Sequence, residues 1–124
     1  MPSSLPTSDD ALIEQARQMK LETENRADLR ILTVDAERID AAVAIRFKET
    51  VREATQDAPP RVVLNLSRVE FIDSSGLGAI VAAMKLLPTG SALELACLRP
   101  SVDKVFRMTR MDSVFVIHTD TDSV

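Results

Sequence analysis

Arg61-Val62-Val63-Leu64-Asn65-Leu66, a short loop, and then Phe71-Ile72-Asp73-Ser74-Ser75-Gly76-Leu77-Gly78 are the segments from which the rest of the chain can be read. The first six residues, with β-branched Val62 and Val63, are nearly continuously apolar, the pattern of a strand buried inside a sheet, so this is read as the central strand. Pro59-Pro60 immediately before it stops any helix and fixes where the strand begins. Beyond Gly76, the residues Leu77, Ile80, Val81, Met84 and Leu87 recur at helical spacing until Pro88 and Gly90 end the run. The serine pair therefore lies at the entrance of a helix, where Asp73, Ser74 or Ser75 can accept hydrogen bonds from the free N–H groups.

The pattern continues in both directions. Upstream, Ala44, Phe47, Val51 and Ala54 form one apolar stripe of an amphipathic helix over 41–54, with Arg46, Lys48, Glu49, Arg52 and Glu53 on its other sides. Before it, Leu21–Asn25 and Leu29–Val34 read as a strand pair broken at Arg26-Ala27. Downstream, Ala92–Leu98 reads as a strand. Pro100 suits the first turn of a helix whose core face is Val102, Val105, Phe106 and Thr109, and Val114–Ile117 reads as the strand that closes the sheet. Strands alternating with helices define an α/β fold. Residues 1–18, with Leu12, Ala16 and Met19 at helical spacing behind Ser8, read as a loose arm or the product of an earlier start codon. Residues 19–118 form the domain and 119–124 a polar tail.

At 124 residues the chain accommodates one domain and one core. Its longest apolar run, around Ile80–Ala83, is far below the roughly 20 residues of a membrane span, and the N-terminus lacks a basic-then-apolar leader. With a single cysteine, Cys97, and hence no internal disulfide, the expected location is the cytoplasm. A net charge of −4 and the absence of Trp and Tyr argue against nucleic acid as a partner.

Candidate chemistry is sparse. One His and one Cys in different elements do not make a transition-metal site, and no cofactor is expected. Cys97 reads as a core residue and His118 as a solvated terminal one. Asp-Ser-Ser-Gly-Leu-Gly lacks the Gly-x-Ser-x-Gly pattern of a hydrolase elbow and the Gly-Lys-Ser/Thr ending of a phosphate loop, so the chain is not expected to be an enzyme. What remains is the helix entrance. The glycine after the serines leaves the backbone open, and Gly78, Ala79 and Ala82 form a small-residue side that a partner can approach closely. A phosphate here would meet the positive end of the helix dipole, and beside Asp73 it would change a docking surface without unfolding the domain.

These segments, with Arg99-Pro100-Ser101-Val102 and the later Phe106 and Thr109, resemble the STAS domain family, and in particular its small anti-sigma-factor antagonists, over about residues 19–117. The resemblance implies a single STAS-like domain with a four- or five-stranded mixed β-sheet and helices packed mainly on one face. It implies a regulatory phosphorylation at Ser74. It also implies two partners: an anti-sigma factor that is a serine kinase of the histidine-kinase-like ATPase fold, and a metal-dependent serine phosphatase. Asp40, Asp73, Ser75, Gly76, Leu77, Gly78, Ala79 and Ala82 are then the expected partner-binding residues. A scaffold that docks without being phosphorylated, for example a subunit of a lipid-transport ATPase complex, is the alternative. The chain departs from the family pattern in three places. Glu37-Arg38-Ile39-Asp40 stands where Gly-Glu-Leu-Asp is usual, Arg110-Met111 replaces Gly-Leu, and the last helix of many relatives is not expected after His118.

Overall fold

A computed structural model describes residues 19–122 and 124; the arm expected over residues 1–18 lies outside the described residues. Strand β1 (Lys20–Arg26) turns at Ala27-Asp28 into β2 (Leu29–Asp35), and the two pair antiparallel from Lys20↔Asp35 to Arg26↔Leu29. Then follow β3 (Arg38–Ile39), α1 (Ala44–Ala54), β4 (Arg61–Asn65), β5 (Phe71–Ile72) and α2 (Ser74–Leu86). The chain continues through β6 (Ala92–Ala96), α3 (Pro100–Met108), a 3-10 turn (Met111–Ser113) and β7 (Ile117–His118).

The main sheet has five strands in the order β1-β2-β4-β6-β7, with β4 at its centre as the Val-Val-Leu run predicts. Only β1 is antiparallel, so the sheet is mixed. Register places Leu32, Leu64, Leu95 and Ile117 in one row across four strands. Because side chains alternate along a strand, this row and its neighbours face the helices. Phe47 and Val51 of α1, Ile80 and Ala83 of α2, and Val102 and Phe106 of α3 pack with Leu32, Val62, Leu64 and Leu95 in one core. Phe106 meets Phe115 edge to face with centroids 6.1 Å apart. Full burial of such a side chain contributes roughly 2–3 kcal/mol. Pro100 occupies the first turn of α3, where a missing N–H costs nothing.

The opposite face carries a smaller cluster, Leu29, Ile31, Val63 and Ala96, against which Val124 and Cys97 pack. Beside it three strands contribute one polar unit. Arg61 on β4 makes a two-bond fork to Glu94 on β6 (Nε–Oε2 and Nη2–Oε1, both 2.8 Å), and His118 Nε2 on β7 lies 2.6 Å from Glu94 Oε1. The Glu94 side chain is only 11% exposed, and its pKa is held down to about 2, chiefly by the Arg61 hydrogen bonds and further by His118.

The structure revises four expectations. His118 is not a solvated terminal residue but half-buried against Glu94, because β7 brings it beside the carboxylate. Cys97 is half-buried rather than in the core, and it takes a left-handed backbone (φ 62°) as the chain leaves β6. The closing strand is Ile117–His118 alone, since Arg110 (φ 61°) and the 3-10 turn use up the residues before it. On α3, Thr109 is the exposed C-cap, its hydroxyl returning to the Val105 carbonyl at 2.7 Å.

Because Glu94 titrates lower in the folded state than its ordinary 4.5, its pair stabilises the fold fully above that value and is lost as pH falls towards 2. We expect Glu94→Gln to reduce stability at pH 7 by about 2 kcal/mol, less than the ~3–5 of a fully buried pair, and to flatten the decline between pH 4.5 and 2. Urea unfolding as a function of pH checks both.

Candidate functional site

The site is built on a pair of two-residue strands outside the main sheet. β3 and β5 run parallel, with Arg38 opposite Phe71 and Ile39 opposite Ile72. The Glu37 carbonyl accepts from the Glu70 and Phe71 amides at 2.7 and 3.2 Å, and the Ile39 carbonyl from Asp73 N at 3.4 Å. β5 leads through Asp73 into α2 and β3 through residues 40–43 into α1, so their pairing brings the two helix entrances together.

Asp73, in extended conformation, is the N-cap of α2. Its Oδ1 accepts from Gly76 N at 2.8 Å, which satisfies one of the helix's free donors. Its Oδ2 accepts from Ala41 N at 3.3 Å, so one carboxylate ties the two helix entrances together. Asp40 organises the other entrance. Its carbonyl accepts from Val43 N and Ala44 N at 3.0 and 2.9 Å, while Oδ1 accepts from Ala42 N and Oδ2 from Arg38 Nε, each at 3.1 Å. Thus α1 begins at Ala44 rather than Ala41, because residues 40–43 form the Asp40-centred turn that leads into it.

Ser74 and Ser75 are the first two residues of α2, and both are exposed. Among the described residues neither hydroxyl has a hydrogen-bond partner. Capping falls to Asp73 alone, which leaves both serines to solvent.

Gly76 and Ala79 are corrections to the expected partner-facing set. Gly76 is buried, and a Cβ there would stand 1.8 Å from the Ile39 carbonyl oxygen; Ala79 is also buried. The helix turns its small residues Gly76, Ala79 and Ala83 inward with Ile80, while Leu77, Val81 and Met84 sit half-buried on its flank. Close approach to β3 demands the glycine at 76, while Leu77, Val81, Met84 and Leu87 of the expected stripe pack against the core from the flank. Gly78 is exposed, with open space where a Cβ would stand, and Leu77 and Ala82 are half-buried. The structure therefore brings Asp40, Asp73, Ser74 and Ser75 to one corner, with Leu77, Gly78 and Ala82 on the helix that leaves it.

Arg38 escaped the sequence reading. Its guanidinium carbon lies 4.2 Å from the Phe71 ring centroid, and it lines a cleft of about 620 Å³ with Asp35, Glu37, Arg68, Glu70 and Arg99. The available signal was Arg38-x-Asp40, since residues two apart in a strand share a side. Among the described residues no group of His, Cys, Asp and Glu is arranged to hold a metal, and no helix is long and apolar enough to cross a membrane.

A mixed sheet helically covered on one face, with a serine loop at the start of a helix, defines a STAS-type domain. The STAS domain family model matches residues 20–124, and the chain belongs to that family. Its fold is similar to that of an anti-sigma factor antagonist from Mycobacterium paratuberculosis (22% identity, TM-score 0.75, covering 96% of this chain and 94% of that one). A putative anti-sigma factor antagonist from Thermotoga maritima is 24% identical with a TM-score of 0.72, covering 89% and 93%. The Bacillus cell fate determinant SpoIIAA, in a structure of its phosphorylated form, is 20% identical with a TM-score of 0.59, covering 83% and 95%.

Two glycines two residues apart should behave in opposite ways. Gly76→Ala forces the β3 carbonyl and the helix apart, and we expect a loss of about 3 kcal/mol or more. Gly78→Ala, in an exposed helix position, should gain up to about 1 kcal/mol. Denaturant midpoints with unchanged m-values report both. Asp73→Ala should cost about 1–2 kcal/mol and raise amide exchange at both Gly76 and Ala41, whereas loss of an ordinary cap would affect only its own helix.

Proposed function

We propose that this chain is a partner-switching anti-sigma-factor antagonist controlled by phosphorylation of Ser74. Unphosphorylated, it binds an anti-sigma factor that is also a serine kinase of the histidine-kinase-like ATPase fold. The kinase directs the Ser74 hydroxyl at the γ-phosphorus of its own ATP. An O–P bond forms, the bond to ADP breaks, the hydroxyl proton passes to a base on the kinase, and the phosphorylated chain is released. A metal-dependent serine phosphatase reverses the mark. The chain supplies a substrate residue and a docking surface and performs no catalysis of its own, in the cytoplasm.

The observation that carries this reading is the state of the helix entrance. Asp73 does the capping, so the exposed Ser74 hydroxyl is available, and modifying it removes no hydrogen bond within the described residues. The new charge, about −1.5 to −2, would sit where the helix N–H groups favour an anion, so the domain tolerates it. The same charge stands beside the Asp73 carboxylate and in the path of anything docking over Leu77, Gly78 and Ala82, where it opposes binding through desolvation and repulsion. Family membership and the fold shared with anti-sigma-factor antagonists support the same reading.

Affinity capture with wild-type, Ser74→Ala and Ser74→Asp baits tests it. We expect a kinase-like protein to be retained by the first two and lost from the third. Retention of one complex by all three baits would instead favour a scaffold that docks through this loop without being phosphorylated.

A further inference from the structure

The corner beside Ser74 holds two opposite charges, and they differ in how accessible they are. Both oxygens of Asp40 are occupied within the chain, by the Ala42 amide and by Arg38 Nε, and its side chain is 15% exposed. The Arg38 side chain is 48% exposed. Only its Nε is engaged among the described residues, which leaves its terminal nitrogens without a protein acceptor there. Asp40 at 3.1 Å and the Phe71 ring at 4.2 Å hold the guanidinium in place, so little side-chain entropy remains to be lost on binding.

We propose that Arg38, rather than Asp40, is the charged group a docking partner meets at this corner, and that it receives a carboxylate of that partner. The proposal rests on the reading above that a protein docks over Ser74. A guanidinium fixed through Nε keeps its terminal nitrogens for a carboxylate, an arrangement a lysine cannot reproduce. The adjoining cleft provides room for an acidic side chain. Its Arg68 is already paired with Glu22 and Asp35, but the Nε of Arg99 meets only the Ser67 carbonyl, so Arg99 offers a second positive group. Glu37 and Glu70 on the rim disfavour a broadly acidic surface, and the fitting partner therefore presents one carboxylate rather than an acidic run.

The test uses the kinase recovered by the wild-type and Ser74→Ala baits, purified and titrated against full-length variants whose circular dichroism and thermal midpoint match wild type. Arg38→Gln should weaken binding about 10-fold or more, Arg38→Glu about 30-fold or more, and Arg38→Lys about 5-fold, with Asp40→Asn within about 3-fold of wild type. An Arg38→Glu affinity within about 3-fold of wild type, with Ser74→Asp still unable to bind, overturns the role of Arg38 and leaves the Ser74 reading intact. A larger loss for Asp40→Asn than for Arg38→Gln also overturns it, by returning the docking charge to Asp40. If no kinase is recovered, or Ser74→Asp binds as wild type does, the partner-switch reading falls and this inference with it.

Discussion

The contact on which the rest of this structure depends is that between the Ile39 carbonyl and Gly76, a distance at which any side chain would collide. It allows the first turn of α2 to rest on β3. From there Asp73 can reach its own helix and the amide of Ala41, and the Ile39 carbonyl can accept from Asp73 N. Each of those hydrogen bonds is individually modest, on the order of 1 kcal/mol. Their value lies in geometry, since together they fix where an exposed serine stands relative to the neighbouring helix. A flexible serine loop would lose ordering entropy on each encounter with a partner, and this one is ordered beforehand.

Much of this was legible in the sequence. The Val62-Val63-Leu64 run identified the central strand, Pro59-Pro60 its start, and the Ala44, Phe47 and Val51 spacing the buried face of α1. Such signals are local, arising from side-chain period and from residues that break elements. What escaped depends on contacts between distant segments. Two-residue strands such as β3 and β5 are too short to show a period, so the platform beneath the site did not read as a strand pair. The inward face of α2 was read only in part: Leu77, Ile80, Val81, Met84 and Leu87 do pack on the core, but Gly76, required by the nearby Ile39 carbonyl, and the small Ala79 and Ala83 were not counted to it. His118 looked terminal because nothing in its neighbourhood of sequence announces Glu94, 24 residues away.

The two ends of the domain use charge differently. On the second face of the sheet, Arg61, Glu94 and His118 are packed into one hydrogen-bonded unit joining three strands, and Glu94 is ionised well below neutral pH. At the serine corner the Arg38–Asp40 pair is partly open to water, where an ion pair contributes little to stability. The first arrangement holds the frame, and the second keeps a charge close to solvent at small energetic cost. The Arg38–Asp40 ion pair therefore adds little to the frame, which at this corner rests on Asp73 and Gly76.

The outermost strand, β1, is the longest exposed edge among the described residues, and Lys20, Glu22, Glu24 and Arg26 occupy alternate positions along it. A second chain adding itself there as a sixth strand would have to lay its backbone against this ladder of mixed charges, which is how natural sheets deter edge-to-edge growth. If the chain acts by partner switching, as proposed, that deterrent has a quantitative meaning. Copies lost to strand-adding aggregates would lower the concentration of free domain available to any partner, and the charged edge opposes that loss.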